Sequence, residues 1–103
     1  MGDGMKIRIY DIVQGDTAVS YEDGKECLRQ VMNVIDRENV ILDFEKVGYV
    51  ITAFLNPVIG DLILKKGQDI MKKIEIENAN KNIIEKIKIV KTGALLKRED
   101  FQA

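Results

Sequence analysis

The sequence predicts a single α/β domain, with a mostly parallel or mixed four-stranded sheet and helices packed against it. Apolar and polar side chains alternate along residues 6–13, until Ile12 and Val13 break the pattern near its end, and along residues 73–77, as is typical of half-buried strands. Residues 40–44 are almost entirely apolar, as expected of a strand that is covered on both faces. Apolar side chains at helical spacing occupy the stretches between them, and strands that alternate with helices indicate a parallel sheet.

The first half of the chain adds one helix and a short segment with two interpretations. Residues 14–17 form a turn cluster, after which Ala18 and Val19 are either a second short strand or an extended lead-in. Ser20 then opens a capping box in which Asp23 takes the place of the usual Glu or Gln. The helix that follows has one apolar stripe, made of Cys27, Leu28, Val31, Met32 and Ile35.

Two residues are unusual within the predicted helices. Gly24 weakens the first helix by about 1 kcal/mol relative to Ala, or it allows another backbone segment to approach closely. Pro57 suits the first position of the second helix if Asn56 is the N-cap, and it disturbs that helix if Thr52 is the N-cap. We therefore expect a distorted or 3₁₀-like turn at residues 53–56. Regular helix should follow, with an apolar stripe made of Phe54, Leu55, Val58, Ile59, Leu62 and Ile63.

The remaining elements follow from the same patterns. The second helix ends in a basic turn, with Gly67 as its C-cap. After the last strand, a third helix ends at Gly93, and its apolar stripe is made of Ile83, Ile84, Ile87 and Val90. Residues 94–101 are predicted to form a short terminal helix with apolar contacts from Leu95, Leu96 and Phe101.

The composition is that of a soluble globular domain. The chain has 103 residues, of which 46% are hydrophobic and 32% charged, and no apolar run approaches the roughly 20 residues of a membrane helix. We expect residues 1–5 to be a disordered or cloning-derived start and residues 6–103 to be one domain. Because Cys27 is the single cysteine, no internal disulfide can form, and a cytoplasmic location is the simplest expectation.

Charge is unevenly distributed along the chain. Residues 1–64 have a net charge of −5 and residues 65–103 a net charge of +4, within a total of −1. Such polarity either reflects solvated faces or favours self-association between the acidic half of one copy and the basic half of another. The sequence pI of about 5.5 argues against a dedicated nucleic-acid-binding domain.

The usual groups of catalysis are scarce. The chain has no histidine and one cysteine, which excludes a Cys/His zinc site, and it has no glycine-rich phosphate-binding loop. Asp43, at the end of a predicted strand, is either a site carboxylate or the cap of a local turn. Cys27 lies on an apolar stripe, as a buried thiol would. These observations predict a binding or regulatory module rather than an enzyme, with no cofactor and no metal.

The candidate site follows the central strand. In open α/β sheets, ligands and partners bind outside the carboxyl ends of the strands, and residues 48–56 leave the strand 40–44 at that end. We predict a partner-binding surface made of Gly48, Tyr49, Thr52, Ala53, Phe54 and Asn56. In the alternative interpretation, Thr52 and Asn56 act only as helix caps and Tyr49 only packs over the end of the sheet.

Several of these motifs resemble those of a known family. The central strand ends in Asp43-Phe-Glu-Lys-Val47, a stretch with a threonine and a phenylalanine follows at residues 51–56, and residues 20–24 lead into the first helix. Together with the order of elements, these features make residues 6–92 similar to STAS domains, the fold of bacterial anti-sigma-factor antagonists. The chain most resembles the STAS-like family of unknown function called DUF4325.

The resemblance implies a role for Thr52. The STAS family carries Asp-Ser-Ser-Gly-Leu after the central strand, and the second serine is its phosphoacceptor. In this chain Thr52 stands in the place of that serine, with Ala53 at the glycine and Phe54 at the leucine. Val50 replaces the acid and Ile51 the first serine. Thr52 is therefore the candidate phosphoacceptor, although its acidic companion is missing.

Three hypotheses about function follow. The first is a non-enzymatic regulatory module that docks a protein partner, by resemblance a histidine-kinase-like ATPase of the anti-sigma kinase type, with phosphorylation of Thr52 as a switch. The second is a self-associating structural domain, a homo-oligomer without a switch. The third is a small-molecule binder at the strand ends. Nucleic-acid and membrane partners are not expected.

Overall fold

Two parallel sheets, covered by helices, form the fold. The computed structural model describes the backbone of residues 4–102 and the side chains of residues 4–97. Among the described residues the strands are β1 (Met5–Arg8), β2 (Thr17–Ala18), β3 (Val40–Asp43), β4 (Tyr49–Val50) and β5 (Ile74–Glu77). The α-helices are α1 (Ile9–Val13), α2 (Tyr21–Val34), α3 (Thr52–Leu55), α4 (Leu62–Lys66) and α5 (Lys81–Gln102). A π-helical segment (Asn56–Asp61) joins α3 to α4, and a 3₁₀-helix (Gln68–Lys73) precedes β5.

β3 is the central strand of the larger sheet. That sheet has the order β1-β3-β5 with parallel pairing throughout, so that Leu42 lies between Ile7 and Ile76. The second sheet is the parallel pair β2-β4, and Ala18 therefore belongs to a strand. The predicted four-stranded sheet is wrong, because the strands divide into sheets of three and two. The helix α1 separates β1 from β2, and residues 44–48 separate β3 from β4. The segment with β1 and β2 therefore pairs with the segment with β3 and β4 in both sheets.

The first strand is shorter than predicted, because α1 replaces its second half. β1 starts at Met5, one residue before the predicted domain, and ends at Arg8. In α1, Ile9 is fully buried, while Ile12 and Val13 pack partly buried against the core. This spacing of three and four residues is helical, and it explains why the alternation stops near Ile12.

The hydrophobic core lies between the larger sheet and the helices. All four residues of β3 are buried, which confirms a strand covered on both faces. The predicted stripe of α2 faces inward, with Cys27, Val31 and Ile35 fully buried. Ser20 is the N-cap of α2, as predicted, because its Oγ accepts a hydrogen bond from the Asp23 amide at 3.2 Å.

The last helix does not stop at Gly93. α5 is one continuous helix from Lys81 to Gln102, so the predicted break and separate terminal helix are wrong. Val90 and Ala94, on either side of Gly93, are both buried in the core, and this packing outweighs the poor helix propensity of glycine. The predicted contact of the Phe101 side chain lies outside the described residues.

Candidate protein-docking surface

Thr52 and Asn56 lie one turn apart at the start of the helix that follows β4. Both side chains are exposed, and neither makes a capping hydrogen bond or bonds to another described side chain. The N-cap is Ile51, whose carbonyl accepts from the amides of Phe54 at 3.1 Å and Leu55 at 3.4 Å. The interpretation in which Thr52 and Asn56 serve only as caps is therefore wrong, and both polar groups face solvent.

Pro57 determines the shape of this helix. It has no amide proton to donate to the carbonyl of Ala53, and its ring would collide with that carbonyl in a regular α-helix. The turn Asn56–Asp61 widens into a π-helix, which relieves both problems. The predicted position of the distortion is wrong, because Thr52–Leu55 forms a regular first turn and the distorted segment is the wide turn Asn56–Asp61, which contains Pro57. Such π-helical turns are frequent at functional sites.

Gly24 of α2 packs directly against this helix. It is buried, and a β-carbon built on it would lie 2.6 Å from Pro57 Cγ and overlap the carbonyl oxygen of Phe54. Only a glycine allows the two helices to approach this closely. The interpretation of Gly24 as a site of close backbone approach is therefore confirmed.

The first turns of α5 hold β4 and the loop before it. Asn80, the residue before α5, donates from Nδ2 to the carbonyl of Gly48 at 3.2 Å. The Lys86 ammonium donates to the carbonyl of Val50 at 2.6 Å and lies 4.5 Å from the centre of the Tyr49 ring. These contacts anchor the chain immediately before the helix start that carries Thr52.

The predicted surface residues differ in their exposure to solvent. The exposed ones are Gly48, Tyr49, Thr52 and Asn56, and Tyr49 keeps 51% of its surface accessible. Ala53 is half-buried. Phe54 is fully buried in the core, so it supports the surface from below and is not part of it. We call Gly48, Tyr49, Thr52, Ala53 and Asn56 the docking surface.

A groove of about 460 Å³ continues from the docking surface between two helices. One wall comes from residues 52–66, which comprise α3, the π-helical segment and α4, and the other wall comes from α5. The lining residues are Thr52, Asn56, Gly60, Asp61, Leu64, Ile89, Val90, Gly93, Ala94 and Lys97. Thr52 and Asn56 follow β4, and the other lining residues come from later turns of the same helix and from α5.

Comparison with known families agrees with this architecture. Residues 23–91 match the family described as a STAS-like domain of unknown function, DUF4325. The chain belongs to this family. The match begins in α2, ends in α5 and includes the whole docking surface, and it confirms the resemblance predicted from the sequence. Comparisons with curated proteins and with solved structures found no match.

In this STAS-like domain, the carboxylate at the end of β3 is held by hydrogen bonds from neighbouring residues. Asp43 is 2% exposed and accepts hydrogen bonds from the Glu45 amide at 3.0 Å and Asn78 Nδ2 at 2.8 Å. Burial raises the pKa of Asp43, but these two bonds and the charges of Lys6 and Arg8 outweigh it and hold the pKa below its usual value. Asp43 is therefore the cap of a local turn, as one of its two interpretations predicted, and remains ionised at neutral pH.

The STAS-like domain also keeps its one thiol away from solvent. Cys27 is fully buried, and this burial, with the nearby charge of Glu26, raises the pKa of its thiol to about 12. Its interpretation as a buried apolar side chain is confirmed. Among the described residues, no three side chains of the metal-binding types come together, and no helix is long and apolar enough to cross a membrane.

Two residues that support the docking surface were not found as such from the sequence. Asn80 precedes α5, and its Oδ1 accepts a hydrogen bond from the Ile83 amide at 2.9 Å, which is a local contact. Its second bond, to Gly48, joins residues 32 apart and leaves no local signal. Lys86 is one of several lysines of α5, and nothing in the sequence distinguishes it from the others.

Proposed function

We propose that this STAS-like domain is a non-enzymatic regulatory module that binds a protein partner through the docking surface. The observation that carries the proposal is that the side chains of Thr52 and Asn56 are exposed and make no capping bond, although they lie on a firmly supported helix start. Polar groups that serve no structural bond are available to bond a partner. Tyr49, half-exposed beside them, supplies the aromatic contact area that binding surfaces commonly use.

The partner class that we propose is a histidine-kinase-like ATPase. It comes from the likeness to anti-sigma-factor antagonists, in which the residue at the place of Thr52 is a phosphoacceptor. The docking surface has no charged side chain of its own. A phosphoryl group on Thr52 would add a charge of about −1.5 to −2 there, and the first turn of a helix stabilises such a charge. A partner that buries the uncharged surface would then have to desolvate a phosphate, so phosphorylation would release it.

The experiment for docking uses two matched asparagines. Tagged wild type, Asn56→Arg and Asn33→Arg are each recovered from the native host. Asn33→Arg is the control, because Asn33 is also exposed but lies on α2. We expect wild type and Asn33→Arg to recover a protein with a histidine-kinase-like ATPase domain, and Asn56→Arg to lose it. The purified wild-type protein and this ATPase should also bind each other directly. Recovery of no such ATPase, or equal binding by Asn56→Arg, would reject the proposal.

The switch is tested separately, with the recovered ATPase and ATP. Intact-protein mass spectrometry should show one added phosphoryl group on wild type and on Thr92→Ala, and none on Thr52→Ala. Thr92 is a suitable control because it is likewise exposed on a helix. If Thr52→Ala is modified as well, or wild type is not modified at all, the switch is rejected while docking stands on its own result.

A further inference from the structure

Four exposed residues of α5, spaced four apart, form one ridge along the helix. They are Glu85, Ile89, Gly93 and Lys97, and we call them the α5 ridge. Ile89 is 65% accessible, the highest value among the large hydrophobic side chains that the structure describes. Neither Glu85 nor Lys97 forms an ion pair with a described side chain. An apolar side chain and two charges of opposite sign are thus left on one helix face.

The α5 ridge is complementary to itself in the antiparallel direction. If a second copy is placed with its two-fold axis near position 91, Glu85 faces Lys97 of the partner subunit and Ile89 faces Gly93 of the partner subunit. The symmetry repeats each pair, because a two-fold interface uses the same patch on both copies. We propose that this protein forms a two-fold symmetric dimer in which α5 packs antiparallel against α5 of the second copy.

The shape of the ridge fits this arrangement. A β-carbon built on Gly93 would meet no atom within 4 Å, so an open recess lies above that residue. The Ile89 side chain of the other copy fills it. Rows of residues spaced four apart interlock when two helices cross at an angle of about 50°, the commonest helix-packing geometry. Leu96, 57% exposed and next to the ridge, adds apolar area at both ends.

The charges favour a second copy over another kind of partner. The ridge is acidic at its start and basic at its end, about 18 Å further along the helix. A uniformly acidic or basic helix would repel one of those ends, whereas an antiparallel copy matches both. The α5 ridge shares no residue with the docking surface, but Ile89, Gly93 and Lys97 line the same groove as Thr52 and Asn56. The two proposals are therefore tested with different variants and different measurements.

Charge reversal tests the pairing directly, by sedimentation velocity over a series of micromolar concentrations. Wild type should show a monomer–dimer equilibrium, and Glu85→Lys or Lys97→Glu alone should weaken it about tenfold or more, because both close pairs become repulsive. An equimolar mixture of the two variants should associate, since each supplies the charge that the other lacks. The double variant Glu85→Lys/Lys97→Glu should regain self-association.

Two further variants separate the interface from general charge and folding effects. Lys91→Glu makes the same charge change as Lys97→Glu, but about 200° around the helix from Ile89, and should leave the dimer intact. Gly93→Leu fills the recess and should weaken the dimer while the thermal unfolding of the monomer is preserved. A wild type that stays monomeric throughout, or a Glu85→Lys variant that dimerises like wild type, overturns the proposal. Loss of the dimer in Lys91→Glu would do so too.

Discussion

Gly24 and Pro57 meet so closely that no side chain fits between their helices. A β-carbon on Gly24 would lie 2.6 Å from Pro57 Cγ, less than any relaxed carbon–carbon contact. This contact places α2 directly beneath the widened turn Asn56–Asp61. Since Pro57 immediately follows Asn56, the same contact helps to set the position of the docking surface.

Substitution of Gly24 should therefore destabilise the protein. Alanine is the better helix former by about 1 kcal/mol, but the overlap with Pro57 and Phe54 should lower the free energy of unfolding by about 1–3 kcal/mol. Urea denaturation of Gly24→Ala at neutral pH measures the difference. Gly93→Ala in dilute protein is the control, since that site has open space, and it should gain up to about 1 kcal/mol. A Gly24→Ala protein as stable as wild type would contradict the close approach.

Lys86 should control the order of the chain that precedes Thr52. Lys86→Met keeps most of the side-chain stem but loses the hydrogen bond to the Val50 carbonyl and the contact with the Tyr49 ring. We expect a loss of about 1–2 kcal/mol and faster hydrogen exchange at the amides of residues 48–51. Hydrogen-exchange mass spectrometry compares it with Lys88→Met, an exposed lysine of the same helix, which should behave like wild type. Unchanged exchange in Lys86→Met would mean that α5 does not hold this loop.

The carboxylate of Asp43 should make stability depend on acid pH. Its pKa is lower in the folded protein than in the unfolded chain, so the unfolded chain takes up the proton first as the pH falls. The stability that Asp43 contributes is complete above its unfolded pKa of about 3.9 and is lost as the pH falls through the folded pKa. The difference in unfolding free energy between wild type and Asp43→Asn should accordingly shrink as the pH falls from about 5 through the folded pKa.

Urea midpoints measured across that pH range test this prediction. Asp16→Asn is the control, because Asp16 is exposed and its side chain makes no bond to a described residue. The difference in unfolding free energy between Asp16→Asn and wild type should be small at neutral pH. A difference for Asp43→Asn that stays constant down to the lowest pH would show that the charge of Asp43 contributes nothing.

The thiol of Cys27 should be unreactive in the folded protein. It is fully buried with a pKa of about 12, so the thiolate that attacks alkylating reagents is scarce and shielded near pH 8. Labelling followed by mass spectrometry should be slow for native protein and complete within the same time in guanidinium chloride. Rapid labelling without denaturant would show that α2 opens readily or packs differently.

Local patterns predicted much of this fold. The alternation in β5, the apolar run of β3 and the cap at Ser20 depend on neighbours in sequence, and each was confirmed. The helix α1 was missed because Ile7 and Ile9 suit a strand as well as a helix, and only packing of Ile9, Ile12 and Val13 on the core decides between them. The division into two sheets was missed because β2 and β4 belong to distant segments of the chain, and no local pattern shows that they pair.

For the docking surface, the sequence by itself determined that a threonine and an asparagine stand at the start of a helix beside Pro57, and that the chain lacks histidine. Only the tertiary structure decided what those side chains do. Pairing of β2 with β4 brings the Ala18 carbonyl to the Ile51 amide, and Ile51 rather than Thr52 becomes the N-cap. Gly24 and Lys86 then hold the helix start and its loop from two sides. Thr52 and Asn56 are exposed to solvent, because Ile51 is the N-cap and neither side chain makes a capping bond.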